Sequence, residues 1–265
     1  MTNDITTLNG ALTELGETLA ENLETMGVTA SASDGLSTLA NAVLDIEQGG
    51  GGQEIVSFDN MTTEFNYTRK RDNYGFRVTI PNGITKLGNY CFYNCSGLTT
   101  VVIPNSVTEL GNYCFYNCNG LTSITIPSGV TKLGINCFYS CTDLTSITIP
   151  SGVTKLGNYC FRTCTSLTSI TIPSGVTSIG NMSFSDCTSL TSITIPSGVT
   201  SIGSSCFYGC TNLNDYQLYW ETPPVTWSST LMPNKTNTYF TIPNGTTANY
   251  VAKSFPSDKL IERSV

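Results

Sequence analysis

Residues 122–131 read TSITIPSGVT, and the same ten residues begin again, unchanged, at Thr145, Thr168 and Thr191, a constant step of 23. Looser copies stand at 76–85 and 99–108, and a degenerate one starts at Asn214. A fixed period of this size marks stacked supersecondary units, each burying its apolar side only against its neighbours.

Read by columns, the repeat gives its own core. Leu121, Ile124 and Ile126 alternate inward with Ser123 and Thr125 outward, the period of a strand. Pro127 ends the strand because it has no N–H for a ladder. Gly129 and Gly134 read as turns, with Val130 and Leu133 pointing in between them. A second inward set follows at Cys137, Phe138 and Cys141. Its phenylalanine column is complete: Phe92, Phe115, Phe138, Phe161, Phe184 and Phe207.

The unit I-P-x-x-V-T-x-[LI]-G-x-x-C-F-x-x-C-x-x-L-T-S-I, over residues 75–218, resembles the BspA-like class of leucine-rich repeat. Where that family usually carries alanine, this chain has Cys91, Cys114, Cys137, Cys160 and Cys206, one small residue for another. The resemblance implies a right-handed solenoid with a parallel sheet on its concave side. It also implies a binding role, often adhesion at microbial surfaces, rather than catalysis. The expected fold class is mainly β, a leucine-rich-repeat solenoid of 23-residue units with an N-terminal α-helical oligomerisation segment.

The flanks differ in composition. Eight of the 19 acids fall in residues 1–52 with no Lys or Arg, leaving eleven acids against twelve bases elsewhere. Ile5, Leu8, Leu12, Leu15, Leu19 and Met26 follow heptad steps, with Glu14, Glu17, Glu21 and Glu24 off the seam. Leu36, Leu39, Val43 and Ile46 repeat the helical spacing. Residues 1–47 are therefore expected to form an acidic helical hairpin that self-associates, as a homotrimer. Residues 48–53 are a glycine linker, 54–74 an N-terminal cap and 219–265 a C-terminal cap. Within the last, Tyr239 to Pro243 reads as one more strand and Thr246 or Thr247 as the cap of a short helix. The run from Gly27 to Ile46 resembles linker helices of prophage structural proteins.

Eleven cysteines and no histidine make zinc an unsuited guest, since every unit offers the same two thiols and no partner type. Buried thiols used as small apolar groups are the simpler reading. The Ser123 and Thr125 columns form a hydroxyl ladder that could order water or contact sugars. Thr equally favours strands and stacks on its own kind. Tyr90, Tyr113 and Tyr159 share one outer column, and Tyr93, Tyr116, Tyr139 and Tyr208 another, interrupted by Arg162 and Ser185. Asn89, Asn112 and Asn158 lie beside them. These tyrosines, with Trp220 and Trp227, are the candidate ligand-binding residues, because exposed aromatics with a polar edge suit partner contact. Half-buried packing on neighbouring rungs is the alternative.

No residue set suggests catalysis: there is no His for a triad and no phosphate loop. No cofactor and no metal are expected. No basic stripe suits nucleic acid, no apolar run suits membrane insertion, and the N-terminus lacks a signal-peptide pattern. The expected role is non-enzymatic adhesion or recognition. The favoured form is a virion-associated, tail-fibre-like protein that binds a host cell-surface protein or glycan, joined to itself and to other virion proteins. A microbial cell-surface adhesin and an intracellular interaction scaffold are the alternatives.

Overall fold

The computed structural model of the chain describes residues 75–80, 82–224 and 238–263, together with the strands Ala42–Asp45, Glu54–Phe58 and Glu64–Phe65. It is a parallel β-solenoid. Each 23-residue unit supplies two strands, and each strand pairs with its equivalent one coil away.

The first position gives Ser123–Thr125, Ser146–Thr148, Ser169–Thr171 and Ser192–Ile195, with Ser123, Ser146 and Ser169 in direct register. This ladder runs on through Asp215–Leu218, Tyr239–Ile242 and Leu260–Glu262. Phe76–Thr79 and Leu98–Val102 pair in the same parallel sense nearer the N-terminus. The second position gives two-residue strands, Lys86–Leu87, Glu109–Leu110, Lys132–Leu133, Lys155–Leu156, Ser178–Ile179 and Ser201–Ile202, in a second parallel sheet. Ile124 is buried between exposed Ser123 and Thr125, so the alternation read from the sequence is the one the sheet uses.

The N-terminal end departs from expectation. Glu54–Phe58 pairs in parallel with Phe76–Thr79, and Glu64–Phe65 with Lys86–Leu87. The segment expected as a cap, strand-like but irregular in pattern, thus supplies both strand positions of a further coil. Ala42–Asp45 lies antiparallel on Glu54–Phe58, with Leu44 opposite Val56. The helical reading of Val43 and Ile46 is therefore corrected over residues 42–45, which are a strand. A sheet edge leaves a row of unpaired N–H and C=O groups. Pairing them outweighs a short helix that has little stability of its own. The heptad positions Ile5, Leu8, Leu12, Leu15, Leu19 and Met26 and the glycine linker 48–53 lie outside the described residues.

The rest of each coil is an arc of tight turns sewn to the next coil. Tyr113, Phe115 and Asn117 donate their N–H groups to Ile135, Cys137 and Tyr139 carbonyls at 2.8 Å. Two residues per arc are left-handed, among them Tyr113 (φ 57°), Asn117 (φ 57°) and the β-branched Thr163 (φ 62°). That backbone disfavours non-glycine residues, and only at Gly209 does glycine take the second position (φ 74°). Gly134 stands elsewhere, for a different reason from the turn expected: a Cβ there would strike the backbone of Gly111 one coil away. Gly134 is required by close approach.

The core is the set of columns the repeat dictates. Phe92, Phe115, Phe138, Phe161, Phe184 and Phe207 are each fully buried. Their rings stack at 5.1, 5.3, 5.4, 5.5 and 5.7 Å, all within 8° of parallel. At Phe207 the stack ends edge-on against Tyr216, which leads to Phe240, Phe255 and Tyr250. These residues close the C-terminal end. The expected strand there is Tyr239–Ile242, and the short helix is Thr247–Val251. Thr246 does not cap it through its side chain; the Glu262 carboxylate accepts from the Thr247 N–H and hydroxyl instead.

Candidate functional site

The tyrosine columns lie on the arcs, next to the buried phenylalanines. Tyr90 and Tyr113 stack at 4.8 Å, Tyr93 and Tyr116 at 4.9 Å, and Tyr116 and Tyr139 at 4.7 Å. Between the columns the rings meet edge to face, as at Tyr90–Tyr93 (5.5 Å, 71°). Arg162, which breaks the sequence pattern, continues the stack: its guanidinium carbon lies 5.7 Å from the Tyr139 ring and 5.9 Å from Tyr159. Asp186 faces it at 3.6 Å and accepts a hydrogen bond from Ser185. Tyr208 stands alone further on and is 64% exposed.

Stacking sets what this surface can offer. Within the stacked pairs the facing sides of the rings are covered, so the stripe presents mostly edges and hydroxyls. The tyrosines are half-buried to exposed, which joins the two sequence readings: the rings pack on neighbouring rungs and still show a polar edge outward. Partial burial and the neighbouring phenols push the Tyr116 hydroxyl's pKa upward, so it stays protonated as a donor. The stripe is almost neutral, with the Arg162 charge opposed by Asp186.

Three sequence readings change. Trp220 is not a surface residue: it is 3% exposed, and its indole N–H donates to the Val199 carbonyl at 2.6 Å. Once the period fails after Leu218, no column says which way a side chain points, and the indole fills the cap. Trp227 lies outside the described residues. The asparagines beside the tyrosines are structural. Asn89 Oδ1 accepts from the Asn112 N–H, Asn112 Oδ1 from Ile135, and Asn158 Oδ1 from Asn181, at 2.8 to 2.9 Å.

The cysteines are free and buried, yet more than apolar filler. Cys118, Cys141 and Cys164 each donate an S–H to the Phe carbonyl of the preceding coil at 3.1 Å. Ser183, standing where the other column lacks its cysteine, donates to the Gly157 carbonyl at 2.7 Å. Burial pushes the Cys164 thiol up to about 12, so it remains an S–H donor. Among the described residues no cluster of three or more Cys, Asp or Glu side chains forms a metal site.

The long sheet carries a second surface. Ser123, Thr125, Ser146, Thr148, Ser169 and Thr171 line a shallow groove of about 330 Å³ over the edges of Ile124, Ile147 and Ile170. It is neutral and hydroxyl-lined, as the ladder reading expected. Lys132 and Glu109 pair at 2.7 Å in the outer column of the second sheet, with Lys132 well exposed. Among the described residues no helix is long and apolar enough to cross a membrane.

The geometry agrees with the sequence comparisons. Residues 74–165 and 131–248 match the BspA type leucine-rich repeat region in six copies, and the chain belongs to that family. Among solved structures, a leucine-rich repeat protein from Bacteroides ovatus is similar at 24% identity and a TM-score of 0.54, covering 77% of this chain and 64% of that one. A leucine rich cell surface protein from Faecalibacterium prausnitzii is similar at 25% identity and a TM-score of 0.50, covering 76% and 63%. The chain thus spans less than two thirds of either protein's length. Among curated proteins none matches it.

Proposed function

We propose that the chain is a non-enzymatic recognition module that binds a protein partner at a cell surface through the stripe Tyr90, Tyr93, Tyr113, Tyr116, Tyr139, Tyr159 and Arg162. The observation that carries this reading is the mutual stacking of the rings. A sugar ring stacks on an open aromatic face, and within the stacked pairs the facing sides are taken. Edges and hydroxyls of rigid tyrosines instead suit protein interfaces, where Tyr and Arg anchor binding at low entropic cost. The cell-surface setting draws support from the similar Faecalibacterium prausnitzii protein.

The narrower reading mounts the module on a tailed-virus particle through a trimer of the heptad segment that precedes the Ala42–Asp45 strand. It rests on Ile5, Leu8, Leu12, Leu15, Leu19 and Met26, and no similarity found supports it. Light scattering of the full chain tests it: a trimer is expected, and a monomer at high concentration overturns it.

The stripe is tested with the variant Tyr93→Ser, Tyr116→Ser, Tyr139→Ser, screened beside the wild type on arrays of extracellular proteins and of glycans. The column tolerates serine, since Ser185 already occupies it. Protein binding that falls about tenfold or more in the variant is expected. Equal binding, or binding to glycans alone, overturns the proposal.

A further inference from the structure

The inner tyrosine column has a gap. Tyr90, Tyr113 and Tyr159 occupy its first, second and fourth rungs, and Asn136 the third. The backbone is ready for a ring there: φ is 55° at Asn136, against 61°, 57° and 58° at the three tyrosines. Tyr113 stacks on Tyr90 on one side; among the described residues no ring covers its other side in that column. Phenylalanines of the same three coils step by 5.3 and 5.4 Å. One ring is therefore missing between Tyr113 and Tyr159.

The outer column runs unbroken beside the gap, with Tyr116 and Tyr139 stacked and Arg162 following. The floor is Asn136, only 8% exposed. The amides of Asn112, Asn158 and Asn181 each accept a backbone N–H. That of Asn136 has no hydrogen-bond partner among the described residues. The amide atoms reach solvent, so water serves them in the free chain and a ligand's polar edge takes that water's place.

We propose that the gap at Asn136 is a slot for one neutral, planar aromatic side chain of the protein partner, a tyrosine or tryptophan. The ring sits between Tyr113 and Tyr159 and bonds the Asn136 amide through its polar edge. Aromatic pairs gain from such offset stacking, and the indole N–H or phenol O–H finds the partner it needs when buried. A cationic side chain fits less well, because Arg162 already lies over Tyr139 and Tyr159. The inference rests on the stripe as the binding surface and names what the partner places in it.

The test uses the full chain, wild type and Asn136→Tyr, titrated by ligand-observed NMR with N-acetyl-tryptophanamide and with N-acetyl-argininamide. The substitution puts the column's own residue into a backbone that already accepts it, so the variant is expected to fold and to melt higher than the wild type. Tryptophanamide is expected to bind the wild type saturably, more tightly than argininamide, and to lose about tenfold or more in the variant. Equal tryptophanamide binding to both chains, tighter argininamide binding, or a lower melting temperature for Asn136→Tyr overturns the slot. The variant completes the stripe rather than removing it. If it keeps the protein partner that the triple serine variant loses, the slot fails and the stripe stands.

Discussion

Phe138 and Tyr139 are consecutive residues in the same coil, and both stack on their equivalents in the coil before. The inner column repeats its ring in every unit from Phe92 to Phe207, whereas the outer one carries Arg162 and Ser185 where tyrosine is due. Burial accounts for the difference. A missing phenylalanine would leave a cavity in a core that no other part of the chain fills. A missing tyrosine leaves a dent that water fills. Interior columns record what the coil needs to stack, and breaks in outer columns are free to serve a partner.

Raising the pH attacks the interior side of this contrast and should give the largest effect. Burial raises the thiols of Cys118, Cys137, Cys141, Cys160, Cys164 and Cys206 in the folded chain. Because the folded values are raised, their contribution is fully present below the unfolded value of about 8.5 and is lost as pH climbs above it. Each such thiol then costs about 1.4 kcal/mol per pH unit. Circular dichroism should show cooperative unfolding by about pH 10, since several thiols together exceed the stability of an ordinary domain. A fold intact well above that pH would mean that the thiols are not held as S–H donors.

Gly134→Ala probes the interior without touching a ring. Its Cβ would meet the backbone of Gly111, which cannot swing aside as a side chain can, so a loss of about 1–3 kcal/mol in urea denaturation is expected. In the arc, Thr163→Asn should stabilise by about 1 kcal/mol, because asparagine tolerates the left-handed backbone that β-branched threonine resists. Asn94 and Asn117 already hold equivalent sites and bond each other at 2.9 Å. A lower urea midpoint would show that the strain lies elsewhere. The smallest effect belongs to Glu109, held below its ordinary value chiefly by its hydrogen bond to Lys132. Its contribution is present at neutral pH and disappears as pH falls through the depressed value. The pair is exposed, so Lys132→Met should change the acid limb by about 0.5 kcal/mol or less.

How much of this could be read from the sequence follows the same division. The strands at Ser123–Thr125, the stop at Pro127, the inward Val130 and Leu133 and the whole Phe column were legible because the period states them repeatedly. The internal bonds of Asn89 and Cys118 were not, since their partners are 23 and 26 residues away and adjacent only after stacking. The period that revealed the columns also sets those separations, so an asparagine recurring at a coil corner is a usable signal for such a bond. The sequence misleads at Trp220 and Ala42–Asp45, near the ends, where a residue's side is decided by closing the core and covering an edge. In the stripe, the two tyrosine columns are legible in the sequence, which shows Arg162 as an interruption. Only the ring geometry shows it as part of the stack.

The division between inner and outer columns is tested most directly by urea denaturation of Phe138→Ala and Tyr139→Ala side by side. The expected losses are about 3–5 kcal/mol for the phenylalanine and about 1 kcal/mol for the tyrosine. Equal losses would mean that the outer rings hold the solenoid together as the inner ones do, and would contradict a stripe left free for recognition.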